Sequence, residues 1–238
     1  FLRLQRQATR FWCEFATQGA KLTLYELDAS RFGLASHGCP QRCARGVFAE
    51  QLRLFLPTLL PTVEKVLWID SDGIMLGDAV ALMQGTFTGE NRGRSIGGVP
   101  RKKTMAVMLG LTRDRLAQLD LMPLERLRGY GPTLNGGLVA LNLRRWRESN
   151  LTERIQELIP RLRQAQLKGF SGMSTASDAQ TPMWLLSLNS TPMDVQQLAP
   201  SWNVDGLGWK RIKENKLCNG DFLHWSGTRK PWNSGKDP

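Results

Sequence analysis

In Lys65-Val66-Leu67-Trp68-Ile69-Asp70-Ser71-Asp72 an apolar run ends in two carboxylates one residue apart. Carboxylate oxygens are hard ligands. A pair held on one side of an extended segment can hold Mg²⁺ or Mn²⁺ and still leave positions for diphosphate oxygens and water. The run before them, rich in Val, Ile and Trp, suits a short buried strand of a parallel sheet. Ligands of open α/β sheets bind in the crevice beyond the carboxyl ends of the strands, which is where Asp70 and Asp72 would stand. An isolated Asp-x-Asp is more often a solvated turn than a metal site, so the pair needs a companion.

That companion is Phe222-Leu223-His224-Trp225-Ser226-Gly227-Thr228-Arg229-Lys230-Pro231-Trp232. His224 offers a borderline nitrogen ligand suited to Mn²⁺, Gly227 permits close backbone approach, and Lys230 supplies a point charge for phosphate. A plainer reading makes His224 a core histidine, Lys230 a surface lysine and Trp232 an anchor. The chain has 2 histidines in all, His37 and His224, and finding one inside so dense a motif favours a functional role.

Together these segments resemble the retaining glycosyltransferases of family 8, the GT-A enzymes that include glycogenin and the plant galacturonosyltransferases. The family's metal motif is similar to Leu67–Asp72, and its His-x-x-Gly-x-x-Lys-Pro-Trp motif is matched from His224 to Trp232. Leu134-Asn135-Gly136-Gly137-Leu138 through Arg147 resembles the family's Asn-x-Gly segment and its Arg/Trp-rich helix. Ser201-Trp202-Asn203-Val204-Asp205-Gly206-Leu207-Gly208-Trp209 is similar to a stretch of the galacturonosyltransferase branch. Gln51-Leu52-Arg53-Leu54-Phe55-Leu56-Pro57 is similar to the Arg-Leu helix ahead of the metal strand.

The resemblance implies a mixed, mostly parallel α/β sheet flanked by helices. It also implies transfer of a hexose, uronic acid or pentose from a UDP-sugar to a glycan or glycoprotein acceptor. Asp70, Asp72 and His224 would hold Mn²⁺ or Mg²⁺, with Ser71 beside them. Lys230 and the Gly227 backbone would contact the diphosphate, Arg53 would reach the donor, and Asn135, Gly136 and Gly137 would line the sugar pocket. Gly137 reads equally well as a bulge or tight turn. Beneath the sugar, where many members carry Asp-Gln-Asp, this chain has Asp178-Ala179-Gln180. Asp178 and Gln180 are the catalytic candidates, and Asp178 alternatively caps the helix that follows.

The elements that must position these residues follow from pattern. An amphipathic helix is expected over Phe48–Leu60, the metal strand over Thr62–Ile69, and a short helix over Asp78–Gln84. A polar loop is expected over Gly85–Arg94, a strand over Ser95–Pro100, and helical pieces over Thr112–Leu121 and Glu125–Leu127. Asn150 is placed to cap a helix running to about Leu167, with Glu153 as its capping-box partner. Loop 169–179 then leads into a helix over Pro182–Leu188. Upstream, helical spacing over Phe1–Gly19 precedes a strand over Lys21–Leu27, and the family's first strand is expected to be missing. One GT-A domain over residues 1–238 is the economical organisation.

Composition narrows the classes. The 238 residues, 41% of them hydrophobic with no long apolar run, suit a globular domain. The net charge of +11 invites a nucleic-acid reading, but the basic residues are dispersed and no zinc-finger, RRM or helix-turn-helix pattern occurs. No nucleic-acid partner is therefore expected. Cys13, Cys39, Cys43 and Cys218 are too scattered to specify a disulfide framework. The sequons at Asn150 and Asn189 suit a secretory lumen. With the family analogy they place the protein in the Golgi or ER, attached to a membrane through a missing N-terminal anchor, with cytosol as the alternative. Two other functions stay open: a catalytically silent GT-A domain that binds nucleotide or glycan, and a basic module for acidic polymers.

Overall fold

Strand β4, Pro132–Asn142, is an inner strand of the larger sheet in the computed structural model, which describes residues 52–104, 132–167, 195–230 and 232. From Leu134 to Asn142 every residue is buried, as a strand with neighbours on both sides and layers above and below requires. Strands β1 (Lys65–Ile69) and β3 (Ile96–Thr104) flank it, and β5 (Val195–Gln197) adds to β3, giving the order β1-β4-β3-β5. A second sheet has the order β2-β7-β6, from Gly73–Met75, Phe222–His224 and Val204–Asp205. The described residues all fall within one compact unit, Pro40–Pro238; the expected single domain over 1–238 reaches beyond them.

The α/β class with a mixed sheet is observed, but antiparallel pairing is commoner than expected among the described strands. β1–β4, β3–β4 and β2–β7 are antiparallel, while β3–β5 and β6–β7 are parallel. The antiparallel β1–β4 register has a consequence for the site. It pairs Ile69 with Leu138, and one step further the Asp70 N–H donates to the Gly137 carbonyl at 2.9 Å. The Asn135–Gly137 segment is thereby fixed against the end of the carboxylate strand. β1 is only half-buried, with Ile69 exposed, because among the described residues it is paired on one side alone. β3 continues past the expected end at Pro100. Register shifts around Pro100 let a residue without an N–H sit in the ladder.

Ahead of β1, the described part of the expected Phe48–Leu60 helix is interrupted: a 3-10 turn, Arg53–Phe55, follows helical Leu52 and leads into a short helix α1, Leu56–Leu59, while residues 48–51 lie outside the described residues. Pro57 explains the break. It has no N–H to offer the Arg53 carbonyl, which instead accepts from Leu56 in a tighter turn, and Pro57 sits in the first turn of the next helix. Helix α2, Ala79–Gly85, is capped by Asp78, whose carboxylate accepts from the N–H groups of Val80 and Ala81 at 2.9 Å each. Helix α3, Leu143–Glu148, is capped by Asn142, and α4 runs Leu151–Leu167. Between them Asn150 adopts φ 49°, a left-handed turn that Asn tolerates, and its carbonyl accepts the Arg154 N–H. A short helix α5, Glu214–Cys218, precedes β7.

α3 does more than connect. Arg147 donates to the carbonyls of Pro57, Leu60 and Val63, and fully buried Trp146 donates its indole N–H to Thr152, whose hydroxyl donates to the Leu54 carbonyl at 2.6 Å. This Arg/Trp-rich helix clamps the turn that carries Arg53. The two sheets share a core of Leu82, Val99, Leu138, Leu198 and Phe222. Phe222 is fully buried beneath Gly73, where a Cβ would come within 2.0 Å of its ring. Burying such a side chain contributes about 1.5–3 kcal/mol and, one residue before Leu223, sets where His224 emerges. Among the described residues no helix is long and apolar enough to cross a membrane.

Candidate metal centre

β1 ends at Ile69, Asp70 and Asp72 follow, and β2 begins at Gly73, paired in register with His224. The Trp225 N–H donates to the Asp72 carbonyl at 2.8 Å. Backbone bonds alone therefore bring the residues at 70–72 beside His224, across a sequence gap of over a hundred and fifty residues. Ligand atoms of Asp70, Asp72 and His224 lie within 4.8 Å of one another. His224 Nε2 stands 3.1 Å from Asp72 Oδ1 and 3.9 Å from Asp70 Oδ2.

The other atoms of these side chains are engaged elsewhere. Asp70 Oδ1 accepts from Trp68 Nε1 at 2.9 Å and from Arg53 Nη2 at 3.2 Å. Arg53 is fully buried, and its guanidinium lies 4.5 Å from the centroid of the Trp68 ring. His224 Nδ1 is 3.2 Å from the Oδ1 of buried Asn203. Asp72 Oδ2 accepts from Lys230 Nζ at 2.6 Å, and Lys230 also donates to the Trp225 carbonyl. Burial on its own pushes the Asp72 carboxyl up. The Lys230 hydrogen bond, with the charges of His224 and Lys230, outweighs burial and holds it below the ordinary carboxylate value.

A divalent cation fits this set. Asp72 Oδ1 is buried without a hydrogen bond, although His224 Nε2 is close by, and buried polar atoms are rarely left so. Two ligands at right angles on an ion with bonds of about 2.1 Å stand about 3.0 Å apart, close to the observed oxygen–nitrogen separation. Two carboxylates and an imidazole suit Mg²⁺ or Mn²⁺.

Glycines make the convergence possible. A Cβ at Gly137 would lie 2.2 Å from His224 Cε1 and 2.3 Å from Nδ1, so this glycine gives the imidazole its space. Gly227 approaches protein backbone: a Cβ there would meet Gly208 C at 2.2 Å and Trp209 N at 2.4 Å. Gly208, at φ 81°, has its own Cβ direction filled by the Arg229 carbonyl oxygen at 2.2 Å. The 206–209 and 226–229 segments thus interlock. Further bonds join them, from Gly227 N to the Leu207 carbonyl, from Trp209 Nε1 to the Ser226 carbonyl, and from Ser226 Oγ to Asp205.

The structure brings together Asp70, Asp72, His224 and Lys230. Ser71 is exposed between the two carboxylates. Arg53, expected at the donor, lies in the core against Asp70. Asn135 is buried, its Oδ1 accepts the Gly137 N–H at 3.0 Å, and its Nδ2 has no hydrogen-bond partner. Gly136 is buried in β4. Asp178 and Gln180 lie outside the described residues, as do the expected helices over Phe1–Gly19, Thr112–Leu121 and Pro182–Leu188 and the Lys21–Leu27 strand. Trp68 and Asn203 carry no role that the sequence motifs imply. Trp68 shares a strand face with Asp70 by its i, i+2 spacing, which is the one signal that pointed to it.

Curated relatives include Glycosyltransferase 8 domain-containing protein 2 of Homo sapiens, 25% identical over 190 residues, covering 76% of this chain and 53% of the relative. Glycosyltransferase 8 domain-containing protein 1 of Homo sapiens is likewise 25% identical over 190 residues, with 76% and 49% covered. The chain thus spans about half the length of these relatives. Among solved structures, the bifunctional glycosyltransferase WbbM in its apo form aligns with a TM-score of 0.57 at 17% identity, covering 88% of this chain and 36% of that one. The galactosyltransferase LgtC, solved with donor and acceptor sugar analogues, aligns with a TM-score of 0.50 at 16% identity, covering 79% and 62%. Identities this low show the fold alone, the mixed α/β GT-A fold of glycosyltransferases. Residues 47–236, which include every described member of the metal cluster, match the family described as Glycosyl transferase family 8, and the chain belongs to that family.

Proposed function

We propose that the chain transfers a hexose, uronic acid or pentose from a UDP-sugar to a glycan or glycoprotein acceptor, with retention at the anomeric carbon. The divalent cation, Mn²⁺ or Mg²⁺, would be held by Asp70, Asp72 and His224. The observation that carries this reading is the convergence of those three side chains, with a buried Asp72 oxygen left without a hydrogen bond. In the reaction the C1–O bond to the diphosphate breaks, UDP leaves with the bonding electrons, and an acceptor oxygen bonds to C1 as its proton passes to the departing diphosphate oxygen. A bound divalent cation supplies neutralisation of the charge growing on the departing diphosphate.

The chain's own residues bind and orient. Lys230, mostly buried beside Asp72, would share its positive charge with a phosphate oxygen. Preorganised donors of this kind each contribute on the order of 3–4 kcal/mol to the transition state. The unpartnered Nδ2 of Asn135 is a buried donor that a sugar hydroxyl would satisfy, since leaving it unmade costs about 1–3 kcal/mol. Gly137 leaves the space that the His224 imidazole occupies. Beneath the sugar, Asp178 with Gln180 is the proposed catalytic group.

Calorimetric titration of UDP into the protein, with Mn²⁺ and then with EDTA, tests the reading. Binding that requires the metal is expected, followed by transfer or slow hydrolysis when UDP-sugars are supplied. Equal binding in both conditions would overturn the metal assignment. Metal-dependent binding with no turnover of any UDP-sugar would reduce the chain to a nucleotide-binding domain.

A further inference from the structure

Each candidate ligand turns one donor atom toward the others while its second atom is engaged by the protein. For Asp72 the engaged atom is Oδ2, on Lys230, the residue proposed to meet phosphate. For Asp70 and His224 the engaging groups have no place in the transfer chemistry. They are Trp68 with Arg53 on Asp70 Oδ1, and on His224 Nδ1 Asn203 at 3.2 Å with the Asp205 carboxylate farther off at 3.8 Å. We infer that Trp68 and Asn203 are positioning residues that select the donor atom each of these ligands presents, an inference that rests on the metal reading above.

For Asp70 the selection concerns how many positions on the ion remain open. A carboxylate can bind through one oxygen or both, and a second oxygen would take a position that diphosphate or water needs. Trp68 and Arg53 both donate to Oδ1, so only Oδ2 faces His224. The indole N–H is aimed because its ring lies against the buried guanidinium of Arg53. For His224 the selection concerns the tautomer. An Nδ1–H that donates to Asn203 Oδ1 leaves the lone pair on Nε2, the nitrogen facing both carboxylates, and outer partners of this kind commonly fix ligand histidines. Asn203 is itself held at the end of the Pro200–Asn203 turn, where β6 starts and pairs Asp205 with His224.

The test is Mn²⁺ titration of the full chain without nucleotide, read as free-ion signal by electron paramagnetic resonance. Folding is checked by circular dichroism, and the imidazole tautomer is read from nitrogen chemical shifts. Asn203→Ala is expected to weaken Mn²⁺ binding by about 10–100-fold and to mix the His224 tautomers. Asn203→Asp keeps an oxygen acceptor and is expected to restore binding while lowering thermal stability, so affinity and stability move in opposite directions. Trp68→Phe keeps a ring over Arg53 but loses the N–H, and is expected to weaken binding about tenfold. It reads the same point independently should an Asn203 variant fail to fold. Wild-type affinity in folded Asn203→Ala and Trp68→Phe would overturn the inference and leave the proposed function standing. A wild-type chain that binds no Mn²⁺, either alone or with UDP present, would overturn both.

Discussion

The two halves of the metal centre are built by different means. On the β1 side, Asp70 is held by side chains: a fully buried arginine, an indole stacked against it, and behind them Trp146, Arg147 and Thr152 fastening the Arg53 turn. On the β7 side, His224 and Lys230 are placed by backbone meeting backbone, with Gly208 against Gly227 and Arg229. The first side tolerates no loss of charge or hydrogen-bond donors, because unpaired buried groups are costly. The second tolerates no added atoms, because the space a Cβ needs is already filled. Polar substitutions should therefore discriminate on one side, and single methyl groups on the other.

The largest effect is expected where both sides act on one atom set. Asp72 joins them, bonded to Lys230 through Oδ2 and facing His224 through Oδ1. Asp72→Asn removes the charge with almost no change in shape, and Lys230 keeps its bond to the Trp225 carbonyl. Metal-dependent turnover should fall by at least about 10²–10³ while the melting temperature changes little. Steady-state rates at saturating Mn²⁺, with a melting curve beside them, check this. Turnover within a few-fold of wild type would dissolve the comparison, because Asp72 would then belong to neither half.

Next comes Gly137, where the halves touch. An alanine methyl there would overlap the His224 ring, with ring atoms at 2.2 and 2.3 Å. Either the imidazole swings away or β4 shifts. Overpacking of this kind costs about 1–3 kcal/mol of stability, and Mn²⁺ affinity should fall with it. Denaturant unfolding and a Mn²⁺ titration on the one variant check both. Unchanged values would mean that the glycine is there for the strand alone.

The same contrast marks what was legible beforehand. Asp70, Asp72, His224 and Lys230 could be read because each sits in a short segment whose spacing records its local geometry: an extended run ending in i, i+2 carboxylates, and a histidine three residues before a glycine. Arg53 could not be placed so well. Its segment suggested donor contact, but its position depends on Trp146 and Arg147, nearly a hundred residues away, and on the break that Pro57 imposes. Gly227 showed that backbone would come close, without showing that the backbone was Gly208's. β1 reads as fully buried when only its composition is considered. Its exposed face goes with pairing on one side alone among the described residues, which composition does not record. Asn203 lies within the Ser201–Trp209 motif, yet its bond to His224 depends on the parallel β6–β7 register, a property of the sheet and of no short segment.

The smallest effect sharpens the comparison by supplying its control. Gly208 and Gly93 are both glycines in loops, but their surroundings differ. At Gly208 the backbone is left-handed, φ 81°, and a Cβ would lie 2.2 Å from the Arg229 carbonyl oxygen. At Gly93 a Cβ would meet nothing within 4 Å. Gly208→Ala therefore carries both a conformational cost of order 1–3 kcal/mol and a push on the segment that ends at Lys230. Gly93→Ala should stay within about 0.5 kcal/mol of wild type, or gain slightly because alanine restricts the unfolded chain. Unfolding curves give the stabilities, and UDP affinity in Mn²⁺ shows whether the strain reaches Lys230. If Gly208→Ala loses stability but keeps UDP affinity, the interlocked loops support the fold without positioning Lys230, and placement by backbone contact would hold for His224 alone.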